Sequence, residues 1–269
     1  MDERIAELMR DESARAGMAA DEFDDEFLRL HLEQERRKAS LLGEVREAIF
    51  GAQDGLVSTV LLVSAVAGAT GERYLVLIAG IASALAGVFS MAAGEYLSSK
   101  SQHEIFEAQI VEERDEVHER PGEAEAEIAF LLERDGLPSE KAATVASVMA
   151  QHPEVLLKTM VEKELGLAVE TGEGSPLQGA LVMGAAFGLG SLVPIMPHLV
   201  LPHGPSTPVS VALTLAVLFG IGVVKSRWTH RTWIASGLEA LAIGAVAGIA
   251  GYFFGTILPV LLGAPEATV

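Results

Sequence analysis

Apolar and polar residues separate into long blocks along this chain instead of interleaving. Five apolar blocks stand out: Ala48 to Thr70, interrupted by Asp54; Tyr74 to Tyr96; Pro176 to Leu201; Pro208 to Val224; and Trp233 to Leu262. At a rise of about 1.5 Å per residue, each can cross a hydrocarbon core of about 30 Å with modest tilt or flank adjustment. The pattern predicts an all-α membrane protein with five transmembrane helices, spans one and two within residues 44–97 and spans three to five within 175–269. Residues 1–43 precede them as an acidic arm with Ile5, Leu8, Phe23, Phe27 and Leu30 at rough helical spacing.

Between spans two and three, residues 98–174 read as a soluble helical domain. Break signals at Pro121-Gly122, Gly136-Leu137-Pro138 and Pro153 divide it into four pieces. The first piece follows span two without a breaker, so the membrane helix is expected to project beyond the bilayer. Glu123 and Glu154 follow two of these prolines, as suits the first turn of a helix.

Basic residues orient the spans. Of 19 Lys and Arg residues, only Arg73 falls on the side of the first short turn. The turn from Pro202 to Thr207 and the tail after Leu262 carry none, whereas Arg36, Arg37, Lys38, Lys225, Arg227 and Arg231 fall on the other side. The positive-inside rule makes that other side cytosolic, with the N-terminus inside and the helical domain in the cytosol. Residues 1–40 are charged, so no cleavable signal peptide is expected. Short loops and abundant Ala and Gly favour a bacterial cell membrane over a vacuolar one.

Net charge is −18, and the acids concentrate in residues 1–47 and 95–173. That balance excludes nucleic acid as a partner and suits cations as ligands. With no cysteine, neither disulfides nor thiolate metal sites can form. No nucleophile–base pairing, phosphate loop or dinucleotide fingerprint occurs, so neither an enzyme nor a prosthetic group is expected. His103-Glu104 lacks the second histidine of a zinc-protease helix. His198 and His203 fall in the outer turn and are expected to face solvent.

The candidate chemistry is acidic. Asp54 lies within the first span, where an ionised carboxylate costs about 3 kcal/mol at the bilayer centre and needs protein, water or a cation to face. Glu47 is seven positions earlier on the same helix face, near the cytosolic mouth. Met91 and Glu95 stack at four-residue spacing on span two, and a thioether beside carboxylates shifts preference from Mg²⁺ or Ca²⁺ towards Fe²⁺ and later metals. In the helical domain, Glu113/Glu116 and Glu123/Glu127 have helical spacing, and Met160/Glu164 repeats the thioether–carboxylate pair. By spacing alone, most of these acids read as a solvated face. Small residues at Gly184/Gly188, Gly244/Gly248 and Gly251/Gly255 have the spacing that lets helices approach closely.

Three segments together resemble the vacuolar iron transporter family: Arg46 to Thr59, Ser90 to Tyr96, and Glu162 to Leu167. The resemblance spans about residues 44–262 and leaves the arm outside it. It implies a homodimer with five spans per subunit, Fe²⁺ and often Mn²⁺ moved out of the cytosol in exchange for protons, and a cytosolic metal-binding domain between spans two and three. Carried over by position, Asp54 and Met91 match intramembrane transport residues, with Glu95 beside them. Glu113, Glu116, Glu127, Met160 and Glu164 match the ligands of the cytosolic domain. One departure stands out: the family usually has a glutamate three residues before Glu127, where this chain has Ala124. Val161 likewise stands where a second methionine can occur. The cytosolic site is therefore expected either to hold fewer ions or to recruit Glu123. The rival reading is a membrane-anchored iron sensor or buffer without transport.

Overall fold

Helix breakers sit where the chain turns. A computed structural model of the protein describes residues 19, 23–164, 175–229 and 231–261, and among these the chain forms eight helices and no strand. They are α1 (Asp25–Ala69), α2 (Arg73–Glu119), α3 (Pro121–Arg134), α4 (Ser139–Ala150), α5 (Pro153–Lys163), α6 (Pro176–Val200), α7 (His203–Thr229) and α8 (Trp233–Leu261). Pro121, Pro153 and Pro176 each occupy the first turn of a helix, where the missing N–H has no intrahelical partner to lose. Gly136, with φ of 107°, takes the left-handed turn between α3 and α4 that a side chain would strain.

Five of the helices, α1, α2, α6, α7 and α8, are long and apolar enough to cross a membrane. Two differ from the expected spans at their starts. α1 begins at Asp25, capped by the Asp24 carboxylate accepting from the Glu26 backbone N–H at 2.8 Å, and runs unbroken through residue 43 into the apolar block. α7 begins at His203, taking Pro208 inside the helix. Ile5 and Leu8 of the arm, Leu165 to Leu167 of the third matched segment, and the tail after Leu262 lie outside the described residues.

α1 is the central strut, packed by α2, α6, α7 and α8. Leu56, Thr59, Val60 and Val63 are fully buried along its apolar half. Close approach is made by glycine rather than by interdigitating large side chains. A Cβ on Gly51 would lie 2.5 Å from the Met183 carbonyl oxygen of α6, and one on Gly55 would overlap the Phe187 carbonyl. Gly251 and Gly255 bring α8 against the Leu61 and Ala65 carbonyls of α1, and Gly184 and Gly188 bring α6 against Val88 and Ala92 of α2. The small-residue spacing therefore marks real contacts. Exposed Ile78, Leu85 and Phe89 on α2 and Ile249 and Phe253 on α8 form outward apolar faces of the kind lipid or another membrane helix covers.

At the far end of the α1–α2 hairpin, Arg73 donates from Nε to the His198 carbonyl and from Nη2 to that of Leu199. These carbonyls belong to the last turn of α6, which has no further turn to satisfy them, so Arg73 caps that helix. His198 is fully buried within α6, contrary to the solvent-facing position expected for it. The helix runs through Pro194 and Pro197 to Val200 and carries the imidazole inward.

α2 continues about six turns past its apolar half. α3, α4 and α5 wrap around that projecting end, and Val117 of α2 joins Ala124, Ile128, Leu132, Ala146, Leu156, Met160 and Val161 in one apolar core. The unit thus has a core of its own, seated directly on the extension of span two.

Candidate metal site

The first turn of α3 folds back across the last turns of α2, and this brings together acids that the sequence keeps apart. Ligand oxygens of Glu116, Glu123 and Glu127 all lie within 4.8 Å of one another. Glu113, one turn before Glu116 on α2, and Glu164, the C-cap residue of α5, lie close enough for their charges to act on the same group. Helices α2, α3 and α5 therefore each contribute. Glu123, Glu127 and Glu164 also line a cleft of about 460 Å³ whose walls include Phe130 and Leu131.

The electrostatics are those of carboxylates short of counter-charge. Burial first, then the charges of Glu164, Glu116, Glu127 and Glu112, push the Glu113 carboxyl up to about 6. Glu113 Oε2 is buried without a hydrogen-bond partner. Glu127 is likewise raised, by burial and then by Glu116 and Glu164. A cation would relieve these repulsions, which is what clustered carboxylates offer a divalent ion. One internal cation stands there: Arg120, the hinge between α2 and α3, donates to Glu116 at 2.8 Å and to Glu123 at 2.7 Å. Both pairs have local spacing, four residues back to Glu116 and three forward to Glu123, and Arg120 joins them across the turn at Pro121. Lys163 at the cleft rim is engaged by Asp135.

The remaining matched positions form the floor. Met160 and Val161 are fully buried in the core, and Ala124 is too. Ala124 faces this core while Glu123, its neighbour, points to the acids; Glu123 is the residue that accompanies Glu116 and Glu127.

A second set of acids lies in the spans. Asp54 is half-buried on α1, and its backbone carbonyl accepts from Ser58 Oγ at 2.6 Å. Among the described residues no Lys or Arg forms an ion pair with it. Glu47, on the same face, lies over Gly179 of α6, where a Cβ would come within 3.0 Å of its Oε2; that oxygen is buried and unpartnered. Glu95 of α2 is near enough for its charge to act on Glu47, and it accepts from Ser99 Oγ at 2.7 Å. Glu44 accepts from Gln178 Nε2 at 2.6 Å, a tie from α1 to α6 that spacing did not disclose. Glu44, Glu47 and Glu95 thus collect at the end of the spans that leads to the α2–α5 unit, with Met91 half-buried one turn deeper than Glu95 on α2.

Comparison with known proteins bears on what this arrangement serves. Residues 45–256 match the VIT family. The chain is similar to vacuolar iron transporter 2 of Oryza sativa subsp. japonica, 34% identical over 231 residues that cover 85% of this chain and 94% of the relative. It is similar to vacuolar iron transporter 1 of Arabidopsis thaliana, 31% identical over 239 residues, 85% of this chain and 95% of that one. A vacuolar iron transporter of Plasmodium falciparum is 26% identical over 223 residues, 80% of this chain and 82% of the relative. With the matched region running from the start of the apolar part of α1 to the glycines of α8, the chain belongs to the VIT family.

Proposed function

We propose that this protein moves Fe²⁺, Mn²⁺ or both out of the cytosol across a membrane in exchange for protons, working as a homodimer. The observation that carries the reading is the gathering of Glu116, Glu123 and Glu127 on a helical unit built directly onto span two. In this reading Glu113, Glu116, Glu123, Glu127 and Glu164 hold the ion on the cytosolic side, with Met160 beneath them as a soft donor. The ion then passes Glu95 and Glu47 at the mouth and reaches Asp54 and Met91. A carboxylate holds either a metal ion or a proton, and binding one expels the other. That exclusivity makes Asp54 the coupling residue.

The cytosolic side is the one that carries the N-terminus and the α2–α5 unit, by the distribution of Lys and Arg. The relatives named above are vacuolar proteins, and export from the cytosol into a vacuole or out of a cell has the same direction. Short loops and abundant Ala and Gly favour a bacterial cell membrane for this chain.

The test is uptake of Fe²⁺ and of Mn²⁺ into proteoliposomes with a metal-quenched dye inside, the lumen either acidic or matched in pH. Faster uptake with an acidic lumen, abolished in Asp54→Ala, supports the exchanger. Tight binding without uptake turns the reading to a membrane-anchored sensor or buffer.

A further inference from the structure

A cleft of about 300 Å³ opens between α1 and α7 at the same end of the spans as Glu47, on a different side of α1. Its walls include Ile49 and Phe50 of α1 and Trp228 of α7, and its polar groups include Arg46, Gln53 and Lys225. No Asp or Glu lines it. That is unusual in a chain with net charge −18, and the local geometry explains it. The two acids flanking Arg46 are turned towards α6: Glu44 is held by Gln178, and Glu47 lies over Gly179. Arg46 is left on the α7 side of the helix. Lys225 is half-buried, and among the described residues neither it nor Arg46 forms an ion pair. Arg231, just beyond α7, is by contrast neutralised by Glu239 at 2.9 Å.

We propose that this cleft binds one phospholipid with an anionic headgroup. Two cations from two helices converge at its rim, and apolar side chains run from there towards the bilayer interior. An acyl chain on Ile49 and Phe50 places the headgroup phosphate between the guanidinium of Arg46 and the ammonium of Lys225. Trp228 marks the interfacial level at which headgroups lie. Basic pockets between membrane helices on the cytosolic side suit such headgroups, and each cation near the surface adds attraction. Glu47 attracts Arg46 through space but lies on the α6 side, and the lipid supplies a negative charge within the cleft itself.

The experiment is native mass spectrometry of the full-length protein in detergent, titrated with phosphatidylglycerol, phosphatidylcholine or inorganic phosphate. Phosphatidylglycerol is expected to give one adduct per chain, at least tenfold tighter than phosphatidylcholine. Lys225→Gln and Arg46→Gln/Lys225→Gln should erase that preference, and Arg46→Lys/Lys225→Arg should keep it. A thermal-shift measurement on each variant separates lost binding from lost folding. Equal binding of both lipids, displacement of the lipid by inorganic phosphate, or an unchanged preference in a folded Lys225→Gln protein overturns the proposal. So does a cleft that takes no lipid because a second copy of the chain covers it, seen as a dimer that persists while adducts are absent. The readout is binding alone, so it stands or falls separately from metal transport.

Discussion

Arg120 Nη2 lies 2.8 Å from Glu116 Oε2, so a cation of the protein's own already occupies one edge of the acid cluster. Its other nitrogen reaches Glu123 at 2.7 Å. Any divalent ion shared by Glu116, Glu123 and Glu127 competes with this guanidinium. Arg120 is more than half exposed, so solvent screening keeps each pair weak. Arg120→Gln is therefore expected to tighten Mn²⁺ binding by about three- to tenfold, the sum of two weak competing pairs. Isothermal titration calorimetry on the detergent-solubilised protein measures it. Unchanged or weaker binding would show that Arg120 orders the acids rather than competing for them.

The raised carboxyl of Glu113 sets a pH window. Its value near 6 in the folded protein, against 4.5 for the free side chain, means the folded state holds this proton more tightly than the unfolded one. Its contribution to stability is thus present below about 4.5 and lost as pH rises through 6. Without metal, the α2–α5 unit should melt at lower temperature at pH 7 than at pH 5.5, and Glu113→Gln should flatten that dependence. Metal binding runs the other way, since the ion needs the deprotonated carboxylate and weakens as pH falls below about 6. Melting curves followed by circular dichroism at several pH values, with and without Mn²⁺, test both signs.

What was legible in the sequence follows from how local the signal is. The apolar blocks, the glycines at four-residue spacing and the prolines that open α3, α5 and α6 are all read within one turn or one span. The unbroken α1 was less visible, although Asp24 followed by Asp25 and Glu26 is a helix start and no Gly or Pro interrupts residues 25–42. Polarity, not a breaker, suggested a separate arm there. The inward turn of His198 and the cap that Arg73 places on α6 depend on packing between elements. No spacing rule within one helix encodes them. Glu123 and Ala124 show the limit closely: adjacent residues on one helix face opposite ways, one to the acids and one to the core.

Gly55 sets how near α1 comes to α6, and with it the depth at which Asp54 is held. A side chain there would run into the carbonyl of Phe187, a backbone atom that cannot rotate away. Gly55→Val should lower stability by about 1–3 kcal/mol or more, as overpacking does. Gly43→Ala, with open space around its Cβ position, should be neutral or slightly stabilising by helix propensity. Thermal unfolding in one detergent compares the two. Equal effects would mean that α1 and α6 separate easily and that the glycine contact is not what holds them.

Ala124→Glu restores the carboxylate that the resemblance leads one to expect, at a position now buried in the α2–α5 core. Without metal, a further acid beside Met160 and Val161 is desolvated and repelled by Glu113, Glu116 and Glu127. The apo protein should therefore lose stability, by a few kcal/mol at pH 7 and less at pH 5, where the new carboxyl is protonated. With Mn²⁺ the order should reverse, since another ligand oxygen raises the number or affinity of bound ions and binding stabilises the folded state by mass action. Metal content per chain after equilibration, set beside melting temperature with and without Mn²⁺, reads both effects. If the variant gains no ions while Glu123→Gln in the natural chain loses one, Glu123 is the substitute ligand and position 124 belongs to the core. If the variant gains ions and Glu123→Gln changes nothing, the cluster works one carboxylate short in the natural chain.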